Sequence, residues 1–97
     1  MRFDLGTVVC TMGIQSLINS DSGYSMLISD CLRMHNECNW GNLCDEDKKM
    51  NDEAVRAEEN GEPTDRLMSS YNVNGTDIWI ITEWDRSVTT VLLPSEY

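Results

Sequence analysis

The stretch that decides the fold is Arg66-Leu67-Met68-Ser69-Ser70-Tyr71-Asn72-Val73-Asn74-Gly75-Thr76-Asp77-Ile78-Trp79-Ile80-Ile81-Thr82-Glu83. Asn74-Gly75 lies between two runs rich in apolar and β-branched residues. That dipeptide is the strongest short-range signal for a two-residue hairpin turn, because both central positions need a positive φ. The turn pairs Val73 with Thr76. Counting back sets Tyr71 opposite Ile78, Ser69 opposite Ile80 and Leu67 opposite Thr82 on one face. The other face pairs Met68 with Ile81, Ser70 with Trp79 and Arg66 with Glu83. The last is an ion pair worth roughly 0.2–1 kcal/mol at an exposed site.

Towards the C-terminus, a second turn at Trp84-Asp85-Arg86-Ser87 leads into a strand over 88–93. It sets Ile80 against Val91 and Trp79 against Leu92, and Pro94 ends the strand because it has no N–H for a ladder. Strand 77–83 is apolar on both faces. It is therefore central, and either covered on both sides or covered on one with the other given to a partner.

Towards the N-terminus, Gly61 and Pro63 mark 58–65 as a loop. Acids at 45–47 open a mostly polar helix over 45–59, where they suit the positive end of the helix dipole. Asn39-Trp40-Gly41-Asn42 reads as a turn in which the indole packs beside a glycine. Tyr24, Leu27, Ile28, Cys31 and Leu32 form an i, i+3, i+4, i+7, i+8 stripe, the clearest helical signal in the chain, over 24–37. His35 extends the stripe as an edge residue. Ile14, Leu17 and Ile18 are spaced helically, and 5–11 reads as a short strand that adds to a sheet edge. The predicted class is α+β: a three-stranded antiparallel meander with an N-terminal edge strand and two to three helices. The 97 residues are expected to form one domain.

Composition narrows the function. Seventeen acids against seven bases give a formal charge of −10. Nucleic-acid phosphates and anionic membranes would be repelled, so neither is an expected direct partner. A basic protein surface is the natural counterpart, approached quickly and held less firmly in salt. The start Met1-Arg2-Phe3-Asp4-Leu5 does not read as an export signal, and no apolar run is long enough to span a bilayer. Cytoplasmic residence with reduced thiols is the expectation. Cys10, Cys31, Cys38 and Cys44 contain no C-x-x-C pair, and no metal or other cofactor is expected. Oligomeric state has no signature in the sequence.

The C-terminal run Ile78-Trp79-Ile80-Ile81-Thr82-Glu83-Trp84-Asp85-Arg86-Ser87-Val88-Thr89-Thr90-Val91-Leu92-Leu93-Pro94-Ser95-Glu96-Tyr97 resembles the end of a family of small proteins carried by bacterial mobile elements. Its members are usually labelled plasmid-related or hypothetical. Phe3-Asp4-Leu5-Gly6, Thr11-Met12-Gly13, Trp40-Gly41-Asn42-Leu43, Asp47-Lys48 with Asn51, and Leu67-Met68-Ser69-Ser70-Tyr71 are similar to the same pattern. Local departures are Cys38-Asn39 before Trp40 and a longer loop over 58–65. The resemblance implies a phage or mobile-element protein in a bacterial host, a setting in which interference with host defence is an apt role. It carries over no catalytic residue.

Two candidate binding sites stand out. Glu83, Trp84, Asp85, Arg86 and Ser87 place an aromatic, two acids and an arginine at one end of the sheet, and Trp and Arg are typical interface anchors. Asp45, Glu46, Asp52 and Glu53 recur at i, i+1, i+7 and i+8 on the 45–59 helix and offer a carboxylate face to a basic protein. The leading expectation is a protein-binding accessory factor, with inhibition of a host defence or nucleic-acid-processing protein as its effect. A small-ligand or nucleotide-signal sequestering protein is the alternative, using Trp79, Trp84 and Arg86. An enzyme is a third, with Glu83 and Asp85 as acid and base. The sequence shows no nucleophile motif or phosphate-binding fingerprint to support it.

Overall fold

A computed structural model describes residues 3–97; Met1 and Arg2, which begin the stretch read above for an export signal, lie outside it. The elements run β1 (Thr7–Cys10), α1 (Met12–Ser20), α2 (Gly23–Asn36), α3 (Asp45–Glu59), β2 (Leu67–Val73), β3 (Thr76–Thr82) and β4 (Val88–Leu92), followed by a 3-10 turn over Pro94–Glu96. The fold is α+β, with three helices and one mixed four-stranded sheet ordered β1-β4-β3-β2.

The hairpin has the register that Asn74-Gly75 dictates: Val73 meets Thr76, Tyr71 meets Ile78, Ser69 meets Ile80 and Leu67 meets Thr82. Asn74 and Gly75 have φ of 52° and 83°, as a turn of this kind requires. β3 pairs with β4 as expected, Ile80 beside Val91 and Trp79 beside Leu92. The ladder stops short of Arg66 and Glu83. Arg66 instead lays its guanidinium over the Tyr97 ring, 5.5 Å from the centroid, and no Arg66–Glu83 ion pair forms among the described residues. β1 is the edge strand that the sequence predicts, and it runs parallel to β4, with Thr7 beside Val88 and Cys10 beside Val91.

All three helices cover one face of the sheet. Ile14 of α1 and Tyr24, Ile28 and Cys31 of α2 pack on Tyr71, Ile78, Ile80 and Val91. Ala54 and Val55 of α3 pack with Phe3, Trp40 and Leu67 in a second cluster. The opposite face carries Trp79, half-buried and in edge contact with Tyr97 at 5.7 Å. The C-terminal turn is tied back to the start of α1. The Glu96 carboxylate accepts from the Thr11 hydroxyl, the Gly13 amide and the Leu93 amide, which holds it below the usual carboxylate range.

The β2 edge is closed by two local devices. Gly41 bridges to Ser70, with the Asn42 N–H donating to the Ser70 carbonyl at 2.7 Å and the Ser70 N–H to the Trp40 carbonyl at 3.3 Å. A β-carbon at Gly41 would lie 1.9 Å from the Ser70 oxygen, and its φ is +71°, so only glycine lets the loop approach. One residue pair along, Asn51 of α3 imitates a strand. Its amide donates to the Met68 carbonyl at 2.6 Å and accepts from the Met68 N–H at 3.3 Å. No helix among the described residues is long and apolar enough to cross a membrane.

Candidate functional site

The site is the turn between β3 and β4. Its backbone closes when the Arg86 N–H donates to the Glu83 carbonyl and the Glu83 N–H to the Val88 carbonyl, at 2.9 and 3.0 Å. Asp85 then accepts from both the amide and the hydroxyl of Ser87, at 3.0 and 2.6 Å. Those two bonds, the hydroxyl first, pull the Asp85 carboxyl below its ordinary range.

Arg86 differs from the expectation that it faces a partner. Its backbone takes a left-handed φ of 59°, which turns the side chain inward, and the residue is only 7% exposed. Nε donates to Glu58 at 3.0 Å, Nη1 to the carbonyls of Asp65 and Glu83 at 2.8 and 3.0 Å, and Nη2 to Thr64 at 3.2 Å. The planar guanidinium thus ties the turn to the end of α3 and to the loop before β2, which a flexible ammonium could not do. These bonds also oppose the strain of a positive φ at a residue with a β-carbon.

The consequence lies one residue back. Trp84 is 64% exposed at the tip of the turn, and Asp85 and Ser87 are exposed beside it, with Glu83 half-buried. Trp84 does not fold over the sheet; an indole is held out to solvent on a turn anchored from beneath. Exposed acids Glu62 and Asp65 come from the loop that Arg86 ties to the turn.

Below the turn lies a buried polar row that the sequence did not announce. The Arg86 guanidinium sits over the Phe3 ring at 5.8 Å, Phe3 meets the His35 ring edge-on at 5.4 Å, and His35 meets Trp40 edge-on at 5.6 Å. His35 is wholly buried, not at an edge as its place on the α2 stripe suggested. Its Nδ1 bonds Ser69 at 2.6 Å and its Nε2 bonds Thr82 at 2.9 Å. Thr82 bonds Thr89 at 2.7 Å, and the Thr89 hydroxyl donates to the Leu5 carbonyl. That carbonyl can only accept, so the direction of the chain follows. Thr82 donates to Thr89, Nε2–H donates to Thr82, and Nδ1 accepts from Ser69. Burial, helped by the nearby Arg86 charge, pushes His35 down to about 4 and keeps the imidazole neutral. The Ser69–His35 contact resembles a nucleophile and its base, but both residues are 0% exposed and no substrate reaches them.

The second predicted site is not joined to the first. Asp45, Glu46, Asp52 and Glu53 are all exposed along α3, opposite its buried Asn51, Ala54 and Val55. One Asp52 oxygen accepts from the Trp40 indole N–H at 2.9 Å, so this carboxylate also holds the 39–42 loop. At a rise of about 1.5 Å per residue, Asp45 and Glu46 sit about 20 Å along the helix from Glu58, where Arg86 attaches. Among the described residues, no three of His, Cys, Asp and Glu gather as metal ligands, and no disulfide joins the four cysteines. No family model, curated protein or solved structure matches the chain.

Proposed function

We propose that this protein is a small acidic binding factor of a phage or mobile element, which docks Trp84 on a basic host protein. Inhibition of a defence or nucleic-acid-processing protein is the effect that fits such a surface. The observation that carries the reading is Trp84, exposed on a turn whose own arginine is committed inward. A turn fixed from beneath loses little backbone freedom on binding, and a central indole is a typical energetic anchor. The formal charge of −10 supplies long-range attraction for a basic surface and repels phosphates.

The alternative of a small-ligand sequestering protein loses its main anion-pairing group, because the Arg86 guanidinium makes four hydrogen bonds within the chain. Acid–base chemistry by Asp85 is likewise disfavoured: a carboxylate stabilised by Ser87 is a weaker base and a reluctant proton carrier near neutrality.

The test is capture from host lysate with wild-type protein and Trp84→Ala at low and high salt. Trp84 is exposed and belongs to neither core cluster, so the variant is expected to keep its stability within about 0.5 kcal/mol. Loss of a basic partner in the variant, and weaker capture in high salt, support the reading. Capture that ignores both Trp84 and salt refutes it.

A further inference from the structure

The two edges of the sheet are treated in opposite ways. β2 is closed by the Asn51 amide and the Gly41 bridge. Among the described residues β1 carries no such cover: every residue from Thr7 to Cys10 is exposed, with Val8 at 45% and Val9 at 42%. It has no proline, lysine or other charged residue, the usual guards of an edge strand. In the parallel ladder the Thr7 and Thr11 N–H groups donate to Ser87 and Val91 of the β4 side. Alternation then points the N–H and C=O groups of Val8 and Cys10 away from the sheet.

Charge selects what can cover this edge. Between Asp4 and Asp21 the chain has no charged residue, although its formal charge is −10. β1 and α1 therefore form an uncharged, β-branched margin on an acidic protein, and Met12, 86% exposed, adjoins it. A basic segment would find no carboxylate on β1 itself; Asp4 and Glu96 sit at its two ends, with oxygens already bonded to the Gly6 amide and to Thr11 and Gly13. A second copy of the chain would meet an equally neutral strand.

We infer that two copies pair β1 to β1 antiparallel about a twofold axis at Val9, joining their sheets into one. This register sets Val8 against Cys10 of the other copy in hydrogen-bonded pairs, and uses every outward backbone group of both strands. A twofold at Val8 would bring Cys10 to Gly6, which has a φ of +64° and leaves the strand path. A twofold at Cys10 would bring Val8 to Met12, already in α1. The Val9 side chains face each other in a non-hydrogen-bonded pair, about 4.5 Å apart at Cα.

Light scattering after size exclusion of the full chain tests the pairing. The expected mass is twice the chain's 11.0 kDa, with the dimer fraction rising in salt as the two acidic bodies are screened. Val8→Pro removes only an outward N–H and is expected to return the protein to monomer with an unchanged near-ultraviolet spectrum. Val9→Cys is expected to cross-link to its copy under mild oxidation, since the separation suits a disulfide. A wild-type monomer at the highest soluble concentration overturns the inference. So does a dimer indifferent to Val8→Pro, or one weakened by salt, which would lie on a different surface. If Val8→Pro fails to fold, Val9→Cys decides: no cross-linked dimer refutes the register.

Discussion

Between pH 7 and 5, acidification is expected to destabilise this protein chiefly through His35. His35 is the only histidine in the chain, and it sits at about 4 in the fold against 6.5 when exposed. Its folded value is depressed, so the unfolded chain takes up the proton first. The contribution is fully present above 6.5 and is lost as pH falls from there towards 4. Integrating the two values gives a cost to the fold of about 0.2 kcal/mol at pH 7, about 2 kcal/mol at pH 5 and about 3 kcal/mol at pH 4. The loss between pH 7 and 5 is a large share of a small domain's stability. Asp85 and Glu96, whose values are lowered, add to the loss only in the carboxylate range further down. Two measurements check this. Urea melts at pH 7, 6 and 5 should show the midpoint falling with an unchanged slope. NMR titration of the lone imidazole should show it neutral at pH 5, as the tautomer with Nε2 protonated. An imidazole that titrates near 6.5, or a urea midpoint that does not move between pH 7 and 5, would refute the buried row.

Arg86→Met leaves Glu58 and the Asp65 carbonyl without their guanidinium donor, while the Glu83 carbonyl keeps the backbone N–H of residue 86, and should cost about 3 kcal/mol, the low end for a broken buried pair because Glu58 is 32% exposed. Arg86→Lys should recover only part of this. In a folded Arg86→Met protein the imidazole should titrate somewhat higher, whereas Arg86→Lys keeps the positive charge and should change it less, burial remaining the main cause of the shift. Asn51→Asp sets a carboxylate against the Met68 carbonyl, and chemical denaturation should show a loss of about 1–3 kcal/mol at neutral pH. Part of that loss should return as the new carboxyl protonates, whereas Asn51→Ala should show no such recovery.

Local chemistry determined much of the architecture from the sequence alone. Asn74-Gly75 needs a two-residue turn, and once the turn is placed, alternation sets the partner of each residue from Leu67 to Thr82. The 3.6-residue stripe from Tyr24 places α2, and the acids at 45–47 place the start of α3. These signals act between near neighbours, so no knowledge of the remainder of the chain was needed.

The site depended on long-range contacts. Arg86 has the appearance of an exposed anchor in sequence, yet Glu58, Thr64 and Asp65 approach it only when α3 and its loop fold beside the sheet. His35 continues an apolar stripe, but Ser69 and Thr82, the groups that make its burial tolerable, are 34 and 47 residues away. The parallel partner of β1 and the Asn51 strand mimic are hidden for the same reason. Composition and spacing record which side chains are present and which share a face. Which polar groups satisfy one another in the interior is settled by the packing of distant elements, and that packing turned the arginine inward and left the tryptophan out.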